Sequence, residues 1–466
     1  VGALVTARST NFNVKPEQTP SDGVITGYGT IDGSLVFVYS QDSTVLGGSI
    51  GEMHAKKITG LYDLALKTGA PIIGLLDSAG LRLQEGTDAL NAFASIYAKE
   101  AEASGVIPQI AAVFGNCGGG LAVAAGMADF AFMADDAKLF VNSPNALAGN
   151  SEDKKDTAAA GFKAEAGAVD AHGTEEEVLA KIRALVSILP SNNEDEAAEE
   201  CEDDLNRASA NVAAGIADPA VAAADLSDGN LFVETRAEYA KEMATGFIKL
   251  NGETVGLIAN RTASYDEKGE TAAEFKPVLT VAGTEKAADF VNFCDAFEIP
   301  VVTLTNVSGF CTCECAEKKI AKNAAKLAAA FAGATVPKVN VVVGDAFGSA
   351  YTVMNSKALG ADITMALPDA RIGMMDGNLA AQIIAAEKDS AEVAETASKY
   401  NELQNSIDSA AALVHDIGTT YYKQLIQGGV KIYEYLPGFN HAKIIVSDDK
   451  RAITGTANLD FRSFYL

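Results

Sequence analysis

Gly27-Tyr28-Gly29-Thr30-Ile31-Asp32-Gly33 and Gly246-Phe247-Ile248-Lys249-Leu250-Asn251-Gly252 carry one pattern twice, each position in the second copy matching one in the first at a constant offset. The first copy runs from Gly23-Val24-Ile25-Thr26-Gly27 through a turn at Asp32-Gly33 into Leu35-Val36-Phe37-Val38, which reads as a β-hairpin. Further along, Lys57 matches Lys286, Pro71 matches Pro300, Gly80 matches Gly309, Pro108 matches Pro337, Gly115 matches Gly344 and Gly119 matches Gly348, all at one common, slightly longer offset. Punctuating residues that hold one spacing predict two halves with the same fold.

Each half has a legible order. After the hairpin, a helix-period stretch from Ser49 to Thr68 stops at Gly69 with Pro71 beyond. Ile72-Ile73-Gly74-Leu75-Leu76 then reads as a buried strand, and Ile110-Ala111-Ala112-Val113-Phe114 as another leading into the Gly115 to Gly120 loop. The second half repeats this with Val255 to Ala259, a helix from Glu285 to Phe297, Val301 to Leu304 and Val339 to Val343. The expected class is α/β, built from repeated β-β-α units. Between the halves, Glu175 to Leu189 forms an acidic amphipathic helix ending at Pro190, and the Ala-, Asp- and Glu-rich run from Glu194 to Asp228 reads as a solvated linker. The expected domains are residues 1–225, 226–412 and a separate module over 413–466, where the acidity vanishes and tyrosine and phenylalanine crowd in.

A formal charge of −26 over 466 residues disfavours nucleic acid and anionic membranes, since counterion release needs basic residues this chain lacks. No apolar run reaches the roughly 18 residues of a spanning helix. No export signal precedes the first glycine-rich stretch, so the expected location is cytoplasmic. Six irregularly spaced cysteines suit a reducing compartment, and Cys311-x-Cys313-x-Cys315 lacks the partners of a tetrahedral site, so no metal is expected.

The chemistry lies in the loops. Gly115-Asn116-Cys117-Gly118-Gly119-Gly120 follows a strand and precedes a small-residue helix, so backbone N–H groups converge with no Cβ in the way. Such a device stabilises an oxyanion. Gly344-Asp345-Ala346-Phe347-Gly348-Ser349-Ala350-Tyr351 offers it again, which suits a reaction in which an enolate-like oxygen develops on each of two reactants.

Leu46-Gly47-Gly48-Ser49-Ile50-Gly51-Glu52-Met53-His54-Ala55-Lys56-Lys57, Asp77-Ser78-Ala79-Gly80-Leu81-Arg82-Leu83-Gln84-Glu85-Gly86 and Ser104 to Gln109, in that order, resemble the biotin-dependent acyl-CoA carboxyltransferases, as do Phe293 to Phe297 and Ala334 to Val339. The resemblance covers about residues 1–410. It implies two tandem crotonase-like β-β-α spiral domains in a homo-oligomer, dimer to hexamer, with active sites between the N-terminal half of one subunit and the C-terminal half of another. It also implies that the first half binds the CoA thioester, with its enolate oxygen on the N–H groups of Gly119 and Gly120, beside Gly118 and Gly80. The second half would hold biotin's ureido oxygen near Gly348, Ser349 and Ala350, beside Gly309, Phe310 and Tyr351. Biotin would arrive on a separate carrier protein, and a biotin carboxylase or a membrane decarboxylase subunit would be a further partner. Lys56 and Arg82 are candidates for CoA phosphates; His54 reads as a structural helix residue. Asn306-Val307-Ser308-Gly309-Phe310 departs from the family's Asp-Val-Pro-Gly-Phe, and cysteines replace a glycine-rich continuation.

His441-Ala442-Lys443, with Asp448 and Asn458, resembles one His-Lys-Asp motif of the phospholipase D superfamily, and its flanks resemble bacterial cardiolipin synthase. That family uses two such motifs and this chain has one, so a short α/β fragment of phospholipase D type without activity is expected. The alternatives to carboxyl transfer are an inactive truncated chimera, or a phosphatidyltransferase or phosphodiesterase activity from this tail.

Overall fold

A computed structural model describes residues 18–404, apart from 151–153, 196–200, 202, 205, 206, 208–215, 267, 368 and 386–389, together with residues 2, 4–7, 12 and 15 and the backbone of two strands, Lys443–Ser447 and Arg451–Gly455. The chain divides into two compact units, residues 1–369 and 370–466. The first unit holds both halves of the sequence repeat.

The first half contributes β1 (Val24–Ile31), β2 (Ser34–Gln41), α1 (Glu52–Thr68), β3 (Ile72–Ser78), α2 (Thr87–Ala103), β4 (Gln109–Gly118), α3 (Gly120–Met127), β5 (Phe130–Ala134), β6 (Lys138–Phe140), α4 (Ala160–Glu165), β7 (Ala171–Gly173) and α5 (Glu175–Ile188). The second contributes α6 (Pro219–Leu226), β8 (Val233–Thr235), β9 (Met243–Leu250), β10 (Glu253–Asn260), a small hairpin of β11 (Ala263–Tyr265) and β12 (Thr271–Glu274), β13 (Val278–Leu279), α7 (Val281–Ala296), β14 (Val301–Val307), β15 (Gly309–Phe310), α8 (Glu314–Glu317), α9 (Ile320–Gly333), β16 (Lys338–Phe347), α10 (Gly348–Val353) and β17 (Ile363–Ala366). One sheet runs β1-β2-β3-β4-β5-β7, with β6 also pairing with β4, and the other includes β17-β16-β14-β10-β9-β8.

The two sheets share a register. In the first hairpin Gly27 faces Val38, and in the second Gly246 faces Leu257, so the pairing repeats at the offset of the sequence motif. Phe37 lies beside Ile72 in parallel, as Gly256 lies beside Val301; Ile72 lies beside Gln109, as Val301 lies beside Lys338. The turns explain the first pairing. Asp32 and Gly33 have φ of 47° and 93°, and Asn251 and Gly252 have 56° and 79°, the double left-handed geometry of a two-residue hairpin that Asp-Gly and Asn-Gly tolerate. The repeated prolines explain the next. Pro71 and Pro300 have no N–H to give, and each offers its carbonyl to the neighbouring strand, to Phe37 N–H at 2.9 Å and to Gly256 N–H at 2.8 Å. Pro108 and Pro337 do the same for Ile72 at 3.0 Å and Val301 at 2.9 Å.

The repeated lysines are buried anchors. Lys57 donates to the Ser21 carbonyl and hydroxyl, and Lys286 donates to the Arg236 and Tyr239 carbonyls at 2.8 and 2.9 Å. Burial pushes the Lys286 ammonium down to about 8. Each ties its helix to the segment that leads into the sheet.

The halves are not joined by a loose tether. Thr174 and Glu177 form a reciprocal cap on α5, and its Val178, Ile182, Leu185 and Val186 bury with Phe130 and Phe132 on one side and Phe247 and Phe290 on the other. Phe130 meets Phe293 edge-on at 4.8 Å, and Phe247 meets Phe290 at 5.0 Å. The run expected as a solvated linker also ends differently: in α6, Ala222 and Ala223 bury against Ile248, Val255 and Leu257 of the second sheet. Small side chains let this helix lie close to strands, which an alanine-rich composition read as a linker conceals.

The cysteine run also departs from expectation. Cys313 and Cys315 form a disulfide, with Cys311 free beside them. Among the described residues no group of three or more His, Cys, Asp or Glu side chains is placed to hold a metal ion. Among the same residues no helix is long and apolar enough to cross a membrane. In the tail, the two strands pair antiparallel, with Lys443 opposite Gly455 and Ser447 opposite Arg451. His441, Asp448 and Asn458 lie outside the described residues.

Arg82 is fully buried. Its guanidinium donates to Asp22 at 2.6 Å, to Glu85 at 3.0 Å and to the Ser49 carbonyl at 2.7 Å. Removing one partner strands a charge in the interior, a loss of about 3–5 kcal/mol. Arg82→Met should therefore lower the denaturation midpoint sharply, and a midpoint equal to wild type would show that the network contributes nothing net.

His172 bridges Asp135 at 2.6 Å and Glu238 at 3.2 Å, joining the two halves, and the hydrogen bond to Asp135 raises its pKa above the ordinary histidine value. A raised folded pKa gives stability that is full below the unfolded value of about 6.5 and is lost as pH rises through the folded one. Denaturant titrations across pH 6–9 should show this decline, and His172→Gln should flatten it; equal slopes for both proteins would refute the clamp.

Candidate functional site

The loops that carry the chemistry leave the sheets at matching places. Pairing of β3 with β4 breaks register between Leu76 and Ser78, and pairing of β14 with β16 breaks at the repeat-matched place, between Thr305 and Val307. Such irregularities re-aim the chain next to active sites. At each break one polar side chain holds the opposite loop. Asp77 Oδ1 accepts the Asn116 N–H at 3.0 Å, and Asn306 Oδ1 accepts the Asp345 N–H at 3.0 Å. The holders are themselves held, because Gln41 Oε1 accepts the Asp77 N–H at 3.2 Å and Asn260 Oδ1 accepts the Asn306 N–H at 3.0 Å. Asn306 thus keeps the acceptor oxygen that the family's aspartate would supply. The absence of a Cβ at Gly115 and Gly344 leaves room for the Asp77 carboxyl and the Asn306 amide, which a larger residue would push out of these positions.

Gly119 and Gly348, the matched positions, adopt φ of 62° and 59°, open only to residues without a Cβ at little cost. The chain then turns into α3 and α10. Gly120 stands at the first position of α3, where an amide has no acceptor within the helix. Tyr97 Oη donates to the Gly120 carbonyl at 2.6 Å and so fixes the following peptide, Gly120–Leu121, in the first turn of the helix. Gly119 differs from expectation: its N–H donates to the Phe140 carbonyl at 2.9 Å. It serves as the turn, and Gly120 carries the amide at the helix start. Gly118 packs on the Phe140 ring, and Gly80, at φ 99°, passes so close that its Cβ would lie 3.3 Å from the Gly118 carbonyl. Gly80, Gly118, Gly119 and Gly120 are therefore brought together.

In the second half Ser349, Ala350 and Tyr351 form the first turn of α10, with Ala350 buried. Gly309 and Phe310 pair with Val278 and Leu279, and Phe310 and Tyr351 both pack on the central core. Lys56 is exposed on α1 and pairs with Glu52 at 2.5 Å. Arg82, expected near a phosphate, is instead committed to the interior network described above. His54 is buried between the Asp22 carbonyl at 2.9 Å and Gln41 at 3.2 Å, and burial pushes its pKa down to about 3, so it stays neutral.

Sequence reasoning missed Tyr97 and Phe140, whose roles arise from distant packing with no local signal. It also missed a groove of about 610 Å³ whose lining includes Phe140, Asn145, Asn150, Lys154, Lys155 and a Lys138 paired with Asp156 at 2.7 Å. A second cavity, about 280 Å³, lies under α3 and includes Lys163, Asp170 and Arg236. Phe140, the residue that receives the Gly119 N–H, lines both cavities.

The model of the carboxyl transferase domain family matches residues 1–454, a span that runs past the expected limit near 410. The propionyl-CoA carboxylase beta chain of Roseobacter denitrificans is 38% identical over 396 residues, covering 82% of this chain and 76% of that one. The methylmalonyl-CoA decarboxylase subunit alpha of Propionigenium modestum is 37% identical, covering 82% and 75%. Among solved structures, transcarboxylase 12S, described as a hexamer assembly with hydrolyzed methylmalonyl-coenzyme A bound, superposes with a TM-score of 0.80 at 30% identity, over 94% of this chain and 89% of that one. With its doubled sheets and matched glycine loops, the chain belongs to the carboxyl transferase domain family, that of the biotin-dependent acyl-CoA carboxyltransferases.

Proposed function

We propose that this chain moves a carboxyl group between biotin on a separate carrier protein and the α-carbon of a short-chain acyl-CoA. The observation that carries the reading is the pair of glycine turns, Gly119 and Gly348, set in one register at matching strand ends. Carboxyl transfer of this kind places negative charge first on one oxygen and then on another. On the acyl side, the thioester oxygen becomes enolate-like when the α-carbon is the nucleophile or the leaving carbanion. On the biotin side, the ureido oxygen takes charge when carboxybiotin releases CO₂. The free biotin anion then serves as base at the α-carbon, so no side-chain nucleophile is needed. Two backbone donor sites, one per half, match those two oxygens.

We assign the thioester to the first half, with the Gly120 N–H as its donor, Gly119 as the turn and Gly80 and Gly118 as the close-packed wall. Biotin falls to the second half, with Gly348, Ser349 and Ala350 at its oxygen and Gly309, Phe310 and Tyr351 around it. The groove with Lys154 and Lys155, where Lys138 is already paired with Asp156, replaces Arg82 as the place for CoA phosphates, with Lys56 as an outlying contact. We keep 1–225 and 226–412 as the functional halves, and a homo-oligomer, between dimer and hexamer, that brings the first half of one subunit to the second half of another. A biotin carboxyl carrier, and a biotin carboxylase or membrane decarboxylase subunit, are the partners this reading requires, and the setting is cytoplasmic. The reaction can run toward carboxylation or decarboxylation, and the names of the relatives include both.

The direct test is a panel of malonyl-, methylmalonyl- and glutaconyl-CoA with free biotin as acceptor, read as biotin-dependent loss of the acyl-CoA carboxyl. Turnover with at least one is expected; a folded oligomer silent with all three would refute the reading. Tyr97→Phe removes the hydroxyl that holds the Gly120 carbonyl in the first turn of α3, a loss on the order of 1.4 kcal/mol that corresponds to about tenfold in kcat. The KM for acyl-CoA should stay unchanged, and a raised KM with normal kcat would place Tyr97 in binding instead.

The tail carries a single His-Lys-Asp half-site, so a leaving alkoxide would lack its general acid, a deficit of roughly 10²- to 10⁴-fold. We therefore expect no turnover of phosphatidylglycerol or a chromogenic phosphodiester. Activity that disappears in His441→Ala would reverse this.

A further inference from the structure

The three cysteines of 311–315 lie where the second half's strand end is tied down. Arg82 and Cys311 occupy positions matched by the repeat, and their backbones do the same work: Arg82 N–H donates to the Ile50 carbonyl at 2.9 Å, and Cys311 N–H donates to the Leu279 carbonyl at 2.9 Å, Ile50 and Leu279 being matched as well. In the first half a buried guanidinium then fixes the turn through Asp22, Glu85 and Ser49. In the second half the side chain is a half-buried thiol that meets Cys313 Sγ at 3.7 Å. Cys313 is exposed and disulfide-bonded to the exposed Cys315, and its sulfur accepts the Ala316 N–H at 3.3 Å at the start of α8.

A free thiol beside an exposed disulfide is the arrangement thiol–disulfide exchange requires. Among the described residues the Cys315 sulfur is held only by Cys313, while Cys313 also caps a helix and neighbours Cys311, so the middle cysteine is the electrophile common to two pairings. The segment immediately before Cys311 is β15, the Gly309-Phe310 strand that packs on the α10 turn.

We propose that Cys311, Cys313 and Cys315 form a thiol–disulfide exchange site, open to low-molecular-weight thiols and disulfides, whose pairing sets the conformation of the Gly309–Phe310 strand. The Cys311 thiolate attacks Cys313 Sγ, the Cys313–Cys315 bond breaks, and Cys315 leaves as a thiolate that takes up the proton Cys311 lost. This step is an isomerisation and needs no oxidant. An external dithiol delivers two electrons and two protons to open either disulfide, and a low-molecular-weight disulfide accepts them when the bond reforms. In the 313–315 pairing, Cys311 is free to follow β15. In the 311–313 pairing, the residue after Phe310 is covalently tied to the cap of α8, a tether in the place where the first half uses its ion pair. The link to biotin rests on the function proposed above, whereas the exchange itself does not.

The test uses the whole chain. After equilibration with oxidised or reduced glutathione and acid quenching, differential alkylation and peptide mapping should find the 311–313 and 313–315 pairings in oxidised protein and three alkylated thiols after reduction. Cys311→Ser should hold the 313–315 pairing, and Cys315→Ser the 311–313 pairing. Amide hydrogen exchange of the peptide that covers Leu304 to Ala316 should then differ between these two oxidised variants by at least severalfold in rate. Three thiols that stay reduced throughout, or one pairing that never redistributes, would overturn the exchange. Identical hydrogen exchange in the two locked variants would overturn the coupling to β15. Both readouts are independent of carboxyl transfer, so a protein inactive in the acyl-CoA panel still decides this proposal.

Discussion

The course of both glycine loops depends on one small interaction made twice: a side-chain oxygen at a strand end accepting the amide of the neighbouring loop. Asp77 does this for Asn116 and Asn306 does it for Asp345. The bond is short-range, but it comes where two parallel strands lose register, and there it decides which way the rest of the loop points. Gly115 and Gly344 are glycines because that oxygen lies against them, and Gly119 and Gly348 because the chain must then reverse into a helix. A net hydrogen bond contributes only about 1 kcal/mol to stability. Its value here is orientation, since a donor that is misaimed by an ångström stabilises little.

The buried charges support the same end. Arg82 sits in the first half's turn with two carboxylates, and Lys57 and Lys286 hold the segments that enter the two sheets. Interior ion pairs seldom add net stability over a well-packed apolar alternative, because desolvation offsets attraction. What they add is a single allowed arrangement. Backbone amides cannot be tuned by substituting a side chain, so where they are the working parts, as in the function proposed above, fixing the backbone is the available means of control.

The repeat made the fold legible before any coordinates. Asp32-Gly33, Pro71 and Pro108 are punctuation whose physical cause is local, a left-handed turn or a missing N–H, so their spacing alone located the matched strands. The glycine loops were legible for the same reason. What sequence did not disclose came from residues whose partners are far away in the chain. Phe140 receives the Gly119 amide from beyond the whole of α3 and β5, and Tyr97 reaches Gly120 from an earlier helix. Arg82 looked like a free cation because nothing nearby in sequence announces Asp22 as its partner. The alanine-rich α6 looked like linker because small side chains carry little hydrophobic signal, although they allow the closest helix-to-strand approach.

The two halves also show how duplicated scaffolds diverge. Matched positions keep the backbone bond and change the side chain that secures it: Arg82 and Cys311 both donate their amides, to Ile50 and Leu279, yet one is locked by charge in the interior and the other ends in a half-buried thiol beside a disulfide. An ion pair with no water around it has one state. A thiol beside a disulfide has at least two, separated by covalent chemistry instead of by thermal motion. The first half's turn is therefore built to be static. The second half carries, at the matched place, an element whose constraint can change under the exchange proposed above.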